Sequence, residues 1–280
     1  MRVLIAGAAG MLGQDVVGAA ERRGHETFGL TRRELDVTDP ADIDGAIADL
    51  RPEAVIDCAA WSDVDGAEDD ERGATAINDT GAGLLAAAAA RAGASILYPS
   101  TDYVFDGTKE GPYLEGDMPA PINAYGRSKL GGEVSVAAAN PRHFIVRTSW
   151  LFGLGGGNFV ETMLRIGAEQ PEVLVVSDQL GCPTSTADLA EGIVELIATD
   201  AHGIHHMVGG GACSWFDFAV EIFDQAGTET RVMSATTEMM ARPARRPANS
   251  VLGHTRADPI LLQPWQQALR RYLADRELRG

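Results

Sequence analysis

Short apolar segments alternate with longer stretches of helical periodicity through the first half of this chain. The apolar segments are continuous, which is typical of strands buried on both faces of a sheet. Because helical patterns separate them, we predict a parallel sheet with helices on both sides. The predicted strands are Val3 to Ala6, Thr27 to Leu30, Ala54 to Cys58, Ser95 to Ser100 and Phe144 to Thr148, and the predicted helices are residues 11–23, 41–50, 72–92 and 124–139.

The second half of the chain has a less regular pattern. It carries a glycine-rich loop at residues 153–157 and a proline-containing loop at residues 243–247. Ligands of doubly wound sheets bind outside the carboxyl ends of the strands. We therefore predict an α/β fold with a Rossmann-type doubly wound parallel sheet in residues 1–150. A smaller C-terminal substrate-binding lobe in residues 151–280 is expected to be partly interwoven with it.

Composition narrows the class of protein. The chain has 280 residues and a net charge of −17, which argues against nucleic-acid or anionic-membrane binding. No apolar run approaches the roughly 20 residues of a membrane-spanning helix. The sequence opens on a predicted strand without a leader, so we expect a cytoplasmic protein. Three separated cysteines predict free thiols, and the acid-rich, lysine-poor composition fits either a halophilic source or a GC-rich genome.

A glycine-rich turn follows the first predicted strand. Its glycines permit a tight turn and a close backbone approach, and the following helix N-terminus can bind a pyrophosphate. The Gly-x-x-Gly-x-x-Gly spacing differs from the Gly-x-Gly-x-x-Gly of many dehydrogenases, and a plain turn is the alternative. Its position after the first strand favours a dinucleotide site that includes Gly7, Gly10, Met11, Leu12 and Gly13.

The ends of the next strands indicate which dinucleotide binds. Arg32 and Arg33 follow the second strand, where an acid would bind the ribose of NAD and an arginine accommodates the 2′-phosphate of NADP. We therefore favour NADPH, with NADH as a second choice and a solvated basic turn as the alternative. The other candidate cofactor residues are Asp36 and Val37 at the adenine, Ala59, Ala60 and Trp61 after the third strand, and Asn78, whose alternative role is structural.

Tyr125 and Lys129 form a candidate catalytic pair. Their spacing on a predicted helix places phenol and ammonium on one face, about one turn apart. A nearby ammonium favours the phenolate and lowers the tyrosine pKa from its usual value near 10. The tyrosine would then serve as a general acid or base. Because many surface helices carry this spacing by chance, the pair alone does not establish a site.

Several motifs of this chain, in their order along the sequence, resemble those of the extended short-chain dehydrogenase/reductase superfamily. Within it, they are most similar to those of the dTDP-4-dehydrorhamnose reductase family. The resemblance spans nearly the whole chain and rests on the glycine turn, Ser100 to Gly107, Tyr125 to Lys129, Arg147 to Phe152, Asn158 to Val160, Asp178 to Thr184 and Arg246 to Leu252. It implies NAD(P)H-dependent reduction of the C4 ketone of dTDP-4-dehydro-6-deoxy-L-mannose to dTDP-L-rhamnose.

The resemblance also implies roles for individual residues. Tyr125 would protonate the C4 oxygen, Lys129 would bind the nicotinamide ribose, and Thr101 would hydrogen-bond the reacting oxygen. Asp102 and Tyr103 would line the substrate and nicotinamide pocket. The other implied substrate contacts are Trp150 at the sugar, Asn158, and Arg246 at the diphosphate, with a core position for Trp150 and an ion pair for Arg246 as the alternatives.

Other functions stay open at this point. A sugar-nucleotide 4-epimerase uses the same tyrosine and lysine, whereas a 4,6-dehydratase carries a glutamate at the position of Tyr103. A non-catalytic NADP-binding regulatory subunit of methionine adenosyltransferase is the other alternative. Some relatives form a magnesium-bridged dimer through three carboxylates, of which this chain has Asp15, while Ala187 and Gln266 occupy the other two positions. We therefore predict no metal and a monomer that binds a nucleotide sugar.

Overall fold

In the computed structural model, which describes residues 1–257 and 259–278, strands and helices alternate through the first half of the chain. The strands are β1 (Arg2–Ala6), β2 (Glu26–Leu30), β3 (Ala54–Asp57), β4 (Ser95–Thr101), β5 (His143–Thr148), β6 (Leu151–Phe152), β7 (Glu172–Val176), β8 (Leu180–Gly181), β9 (Thr184–Ser185), β10 (Gly203–His206), β11 (Cys213–Ser214) and β12 (Arg231–Ala235). The helices are α1 (Met11–Arg22), α2 (Pro40–Leu50), α3 (Gly66–Asp69), α4 (Glu71–Thr75), α5 (Ala82–Arg91), α6 (Ala124–Ala139), α7 (Phe159–Glu169), α8 (Thr186–Leu196), α9 (Trp215–Gln225), α10 (Thr237–Met240) and α11 (Trp265–Glu277). Residues 258, 279 and 280, which the predicted second half includes, lie outside the described residues.

Six strands form one parallel sheet in the order β10-β5-β4-β3-β1-β2. The chain runs from β1 outward to β2 and then returns to β3 on the other side of β1. The topological switch point therefore lies between β1 and β3, and a crevice outside the carboxyl ends of these strands is the expected ligand site. The predicted Rossmann-type doubly wound sheet is confirmed.

Both faces of this sheet are covered, which explains the continuous apolar strands. Val3, Ile56 and Leu97 face one layer, where they pack with α1 and α8. Leu4 and Val55 face the other layer, which α2, α5 and α6 cover. Because both kinds of position are buried, no polar alternation appears in β1 or β3.

The second half of the chain contributes to both parts of the molecule. Strand β10 joins the main sheet beside β5, and α8 packs on α1, so the two halves are interwoven. The remaining elements form a smaller lobe in which α7, α9 and α11 pack around Phe152, Phe218 and Leu269, beside the parallel pair of β7 and β12. In the part of the chain that the structure describes, no helix combines the length and apolarity needed to cross a membrane.

The helix predicted at residues 72–92 contains a wide turn. Helix α4 passes into a π-helical turn at Ala76–Gly81, which continues as α5. The backbone carbonyl of Asn78 accepts a hydrogen bond from the Tyr98 hydroxyl at 2.7 Å, which gives that carbonyl a partner outside the helix. Such insertions into the helical hydrogen-bond ladder are a common cause of local distortion, and π-turns often occur at functional sites.

Candidate active site

The turn between β1 and α1 brings the backbone close to the end of β3. Gly7 has a φ of +73°, and a Cβ at this position would lie 2.6 Å from the backbone nitrogen of Ala59. A Cβ at Gly13 would lie 2.3 Å from the carbonyl oxygen of Gly7. Both positions therefore require glycine, as the sequence predicted for a turn that passes close beside a ligand.

The first turn of α1 can receive an anion. Gly10 is the N-cap residue, and no side chain caps the helix. The amides of Met11 and Leu12 therefore lack an intrahelical partner and are available to a pyrophosphate. The side chain of Leu12 is buried in the core, so this residue contributes only its backbone.

A cavity of about 220 Å³ lies beside this turn, at the switch point of the sheet. It is lined by Gly7, Ala9, Gly10, Arg32, Leu35, Asp36, Val37, Cys58, Ala59, Ala60 and Ile77. Residues predicted from three strand ends thus meet in one groove. Leu35 and Ile77 were missed, because an apolar side chain does not reveal from sequence that it borders a cavity.

The polar groups of this groove favour a phosphorylated ribose. Arg32 and Arg33 are exposed, and within residues 1–257 and 259–278 neither guanidinium forms a salt bridge. Glu34 accepts hydrogen bonds from the backbone amide and hydroxyl of Thr31 at 2.9 and 2.8 Å. Asp36 is likewise held by the amide and hydroxyl of Thr38, which lowers the pKa of this carboxyl. The neighbouring carboxylates are therefore committed to the turn, and the arginines stay available.

Helix α6 carries the predicted catalytic pair. The side chain of Asn123 caps this helix by accepting a hydrogen bond from the amide of Gly126 at 2.7 Å. Tyr125 therefore lies in the first turn, at the end of β4, and Lys129 lies one turn further along the same face. The ammonium of Lys129 donates a hydrogen bond to the carbonyl of Pro99 at 2.7 Å.

Burial controls the proton affinity of both groups. It raises the pKa of Tyr125 to about 12, while the charge of Asp102 adds to this shift and a hydrogen bond with Thr101 opposes it. Burial lowers the pKa of Lys129 to about 8. The expectation of a tyrosine pKa below its usual value is therefore wrong, because desolvation dominates here. The phenol stays protonated at neutral pH, which is the form that can donate a proton.

Three residues at the end of β4 complete this end of the site. The hydroxyl of Thr101 donates a hydrogen bond to Asp102 at 3.0 Å and accepts one from the Tyr103 amide at 3.2 Å. The Tyr103 ring meets the Tyr125 ring edge to face, with centroids 6.2 Å apart. Burial raises the pKa of Asp102 to about 7. The structure thus brings together the hydroxyl, phenol and carboxyl groups that the sequence predicted.

A second cavity of about 670 Å³ extends from Tyr103 into the smaller lobe. Arg246 lines it and donates a hydrogen bond to Asp65 at 2.6 Å, and Arg242 pairs with the same carboxylate at 2.7 Å. Arg246 is therefore both a cavity residue and an ion-pair partner, so the two interpretations of its role are compatible.

The sequence and the fold of this chain resemble those of known proteins. Residues 1–278 match the RmlD substrate binding domain family. A dTDP-4-dehydrorhamnose reductase of Streptomyces griseus is 42% identical over 278 residues, covering 96% of this chain and 91% of that protein. The chain belongs to the dTDP-4-dehydrorhamnose reductase family. The predicted family and the prediction of a reductase are confirmed.

Solved structures of the dTDP-4-dehydrorhamnose reductase family share this fold throughout. The protein from Clostridium acetobutylicum superposes with a TM-score of 0.96 and 40% identity, covering 99% of this chain and 100% of that one. The protein from Bacillus anthracis, solved in complex with NADP, gives a TM-score of 0.95 and 39% identity, with coverages of 98% and 99%.

The tryptophan at the second cavity of this dTDP-4-dehydrorhamnose reductase family member is not the predicted one. Trp150 does not line the cavity, whereas Trp215 does. The two rings stack with centroids 3.6 Å apart and an interplanar angle of 8°. Trp150 has a φ of +48°, an uncommon conformation for a residue other than glycine. Trp150 therefore supports Trp215, which presents its ring to the cavity.

Asn158 has a structural role in place of the expected substrate contact. It is the N-cap of α7 and accepts a hydrogen bond from the amide of Glu161 at 3.1 Å. Its amide group donates to the carbonyls of Gly153 and Gly156 at 2.9 and 3.2 Å, and lies 3.9 Å from the sulfur of Met11. Asn158 thus holds the glycine-rich loop against the first turn of α1.

Asn78 and Trp61 do not line the first cavity. The buried amide of Asn78 exchanges hydrogen bonds with the Trp61 backbone at 2.9 and 3.0 Å and donates to the hydroxyl of Ser128 at 2.9 Å. It therefore joins the segment after β3 to α6. This geometry supports the structural alternative for Asn78 over direct cofactor binding.

The carboxylate that could have joined a bridging metal has a protein partner. Asp15 accepts a hydrogen bond from the hydroxyl of Thr186. In the described part of the chain, no cluster of three or more histidine, cysteine or acidic side chains could hold a metal ion. Cys58, Cys182 and Cys213 are free thiols, as predicted.

Proposed function

We propose that this protein reduces the C4 ketone of dTDP-4-dehydro-6-deoxy-L-mannose to dTDP-L-rhamnose with NADPH. The observation that carries the proposal is the convergence of Thr101, Tyr125 and Lys129 at the carboxyl end of β4, where the neighbouring Cys58 borders the dinucleotide groove and Tyr103 borders the larger cavity. Membership of the dTDP-4-dehydrorhamnose reductase family supports the same reaction.

The first cavity fits NADPH on its own contacts. A Cβ at Gly7 would collide with the Ala59 backbone, so glycine lets the turn pack closely on the end of β3 beside this cavity. The amides of Met11 and Leu12 would hold the pyrophosphate, Arg32 the 2′-phosphate, and Lys129 the nicotinamide ribose. NADPH supplies a hydride to the C4 carbon when it is bound, and NADH is the alternative donor.

The side chains at the end of β4 supply the proton. The phenol of Tyr125 donates its proton to the C4 oxygen, while the hydroxyl of Thr101 hydrogen-bonds that oxygen as negative charge develops on it. Because its pKa is about 12, Tyr125 enters the reaction protonated. The ammonium of Lys129 then stabilises the phenolate until solvent returns the proton.

The second half of the chain supplies the substrate-binding lobe. Trp215 and Tyr103 line the second cavity and offer aromatic faces to the apolar side of the sugar ring. Asp102, which was expected in this pocket, is buried behind Tyr103 and does not line the cavity. Arg246 lies where a guanidinium can bind the diphosphate. We also propose a monomer, because Ala187 and Gln266 cannot complete a carboxylate bridge. The cytoplasmic location stays a prediction.

The test supplies dTDP-4-dehydrorhamnose with NADPH or NADH and follows nicotinamide absorbance and product formation, at low and at molar salt. Tyr125→Phe is expected to bind NADPH but to lose about 10²- to 10⁴-fold in turnover. Tyr272→Phe, a tyrosine of the smaller lobe, serves as the matched control. No oxidation of either cofactor at both salt concentrations would overturn the reductase, and C4 inversion without net cofactor consumption would instead identify an epimerase.

A further inference from the structure

The ammonium of Lys129 is buried and forms no salt bridge within the described residues. Its side chain is 3% exposed, and its nitrogen contacts the Pro99 carbonyl at 2.7 Å and lies 3.8 Å from the centroid of the Tyr98 ring. Both contacts are with neutral groups. A buried ammonium loses its hydration, so a nearby negative charge is needed to keep it protonated.

The carboxylate on the same helix is committed elsewhere. Glu133 follows Lys129 by one turn of α6, but it accepts two hydrogen bonds from the guanidinium of Arg147, at 2.9 and 2.7 Å. The hydroxyl of Ser100 donates to it as well, at 2.5 Å. The charge of Glu133 is therefore largely balanced by Arg147, and the counter-charge of Lys129 must come from another element.

Asp57, the last residue of β3, has an unused oxygen on this side of the sheet. Ile56 pairs with Leu97, so Asp57 lies level with Tyr98 on the adjacent strand, at a strand spacing of about 4.8 Å. Strand alternation places Asp57 on the face of Val55, which packs in the same cluster as Tyr98. The carboxylate therefore lies beside the ring that the Lys129 ammonium covers.

The environment of this carboxylate is dry. Asp57 is 2% exposed, and its Oδ1 accepts a hydrogen bond from the Ala59 amide at 3.2 Å. Its Oδ2 is buried and has no hydrogen-bond partner in the part of the chain that the structure describes. Burial of an ionisable oxygen without a hydrogen bond is costly, and a neighbouring cation offsets that cost.

We propose that Asp57 is a positioning residue that supplies the counter-charge of Lys129 and thereby sets the upper pH limit of the reaction. This inference rests on the proposed function. Burial lowers the pKa of Lys129 to about 8, and Asp57 opposes that shift more than Glu133 or Cys58 does. Burial raises the pKa of Asp57 to about 7, with the Lys129 charge opposing. The form in which both groups are charged is therefore most populated between these two values.

Titratable groups other than Asp57 also surround Lys129 and the Tyr98 ring that it covers. Cys58, which follows β3, and Glu133 on α6 act on Lys129 itself, whereas Tyr125 on α6 and Asp79 on the π-helical turn act on Tyr98 of β4. Burial raises the pKa of the thiol and of both phenols, so these groups are neutral at neutral pH. Asp79 accepts a hydrogen bond from the Ser135 hydroxyl and is not among the charges that shift the pKa of Lys129.

The direct test measures the titration of Lys129 by NMR in the full chain. The protein contains only two lysines, Lys109 and Lys129, so selective lysine labelling gives two side-chain signals, and Lys109 serves as an internal reference. Asp57→Asn is expected to lower the Lys129 midpoint by about one pH unit or more. Asp44→Asn, which removes an exposed carboxylate, is expected to leave it unchanged. If the Lys129 midpoint moves by less than about 0.3 pH unit in Asp57→Asn, the effect is too small for a neighbouring counter-charge and the inference is overturned.

The kinetic test separates this inference from the proposed function. At pH 8 we expect kcat/KM of Asp57→Asn to be about tenfold below that of the unchanged protein, whereas at pH 6 the two should agree because Asp57 is then protonated. An equal loss of kcat/KM at pH 6 and at pH 8 would indicate a general structural defect and overturn the inference. If the unchanged protein does not reduce the sugar but the NMR midpoint moves as expected, Asp57 is still the counter-charge of Lys129 and the proposed function fails.

Discussion

The ion pair of Glu133 and Arg147 joins helix α6 to strand β5 of the sheet. Two guanidinium nitrogens approach the carboxylate at 2.9 and 2.7 Å, and both side chains are buried, with exposures of 4% for Glu133 and 2% for Arg147. Because α6 also carries Tyr125 and Lys129, the stability of this pair bears on the geometry of the site. The contribution of the pair to the free energy of unfolding can be measured by removing one charge or both.

Glu133→Gln removes one charge with little change in shape. Arg147 then stays buried without its counter-charge, and the free energy of unfolding should fall by about 3–5 kcal/mol. Arg147→Met leaves the carboxylate buried with the Ser100 hydroxyl as its remaining hydrogen-bond donor, and a similar loss is expected. Replacing both, as Glu133→Leu with Arg147→Met, removes both desolvation penalties. The double variant should lose only about 1–3 kcal/mol, from the unpaired Ser100 hydroxyl.

Urea denaturation followed by circular dichroism gives these free energies by linear extrapolation, provided that the m-value is unchanged. The decisive quantity is the coupling between the two sites in the double-mutant cycle. If Glu133→Gln costs less than about 1 kcal/mol, Arg147 is hydrated or finds another partner. If the double variant loses the sum of the two single losses, the charges do not compensate each other. Either result would refute the reasoning.

Three further predictions concern the ligand sites. Gly7→Ala should weaken NADPH binding by at least about tenfold, because its Cβ would lie 2.6 Å from the Ala59 nitrogen and its φ is +73°; fluorescence titration measures this, and unchanged affinity would contradict the turn's role. Arg32→Ala should raise KM for NADPH but hardly that for NADH, and an equal rise in steady-state kinetics would rule out a 2′-phosphate contact. Trp215→Ala should raise KM for the nucleotide sugar several-fold with KM for NADPH unchanged, whereas the opposite pattern would place the ring at the cofactor.

The sequence predicted the sheet and the dinucleotide groove well, for a simple reason. Strands buried on both faces must be continuously apolar, and the carboxyl ends of parallel strands meet at one edge. Residues that follow β1, β2 and β3 therefore had to converge, although they are distant in sequence. The glycines of the first turn and the pair of Tyr125 and Lys129 were recognisable because their function depends on local spacing.

The remaining site depended on contacts that no local pattern reveals. Trp150 and Trp215 stack across 65 positions, and the left-handed conformation of Trp150 turns its ring away from the cavity. The high pKa of Tyr125 follows from its burial, which spacing does not encode. The role of Asn158, in contrast, does have a local sequence pattern, because an asparagine that immediately precedes a helical segment is a recognised N-cap signal. That signal could have indicated its structural role.

The glycine-rich loop after β6 packs against the start of α1. The side chain of Gln14 donates to the carbonyl of Gly155 at 3.3 Å, and a Cβ at Gly156 would lie 2.9 Å from the Cβ of Met11. The start of α1 is therefore shared between the nucleotide groove and a loop of the smaller lobe. Any factor by which one ligand changes the other's affinity through this contact must apply equally in the reverse direction. Variants of the loop should therefore be measured against both ligands.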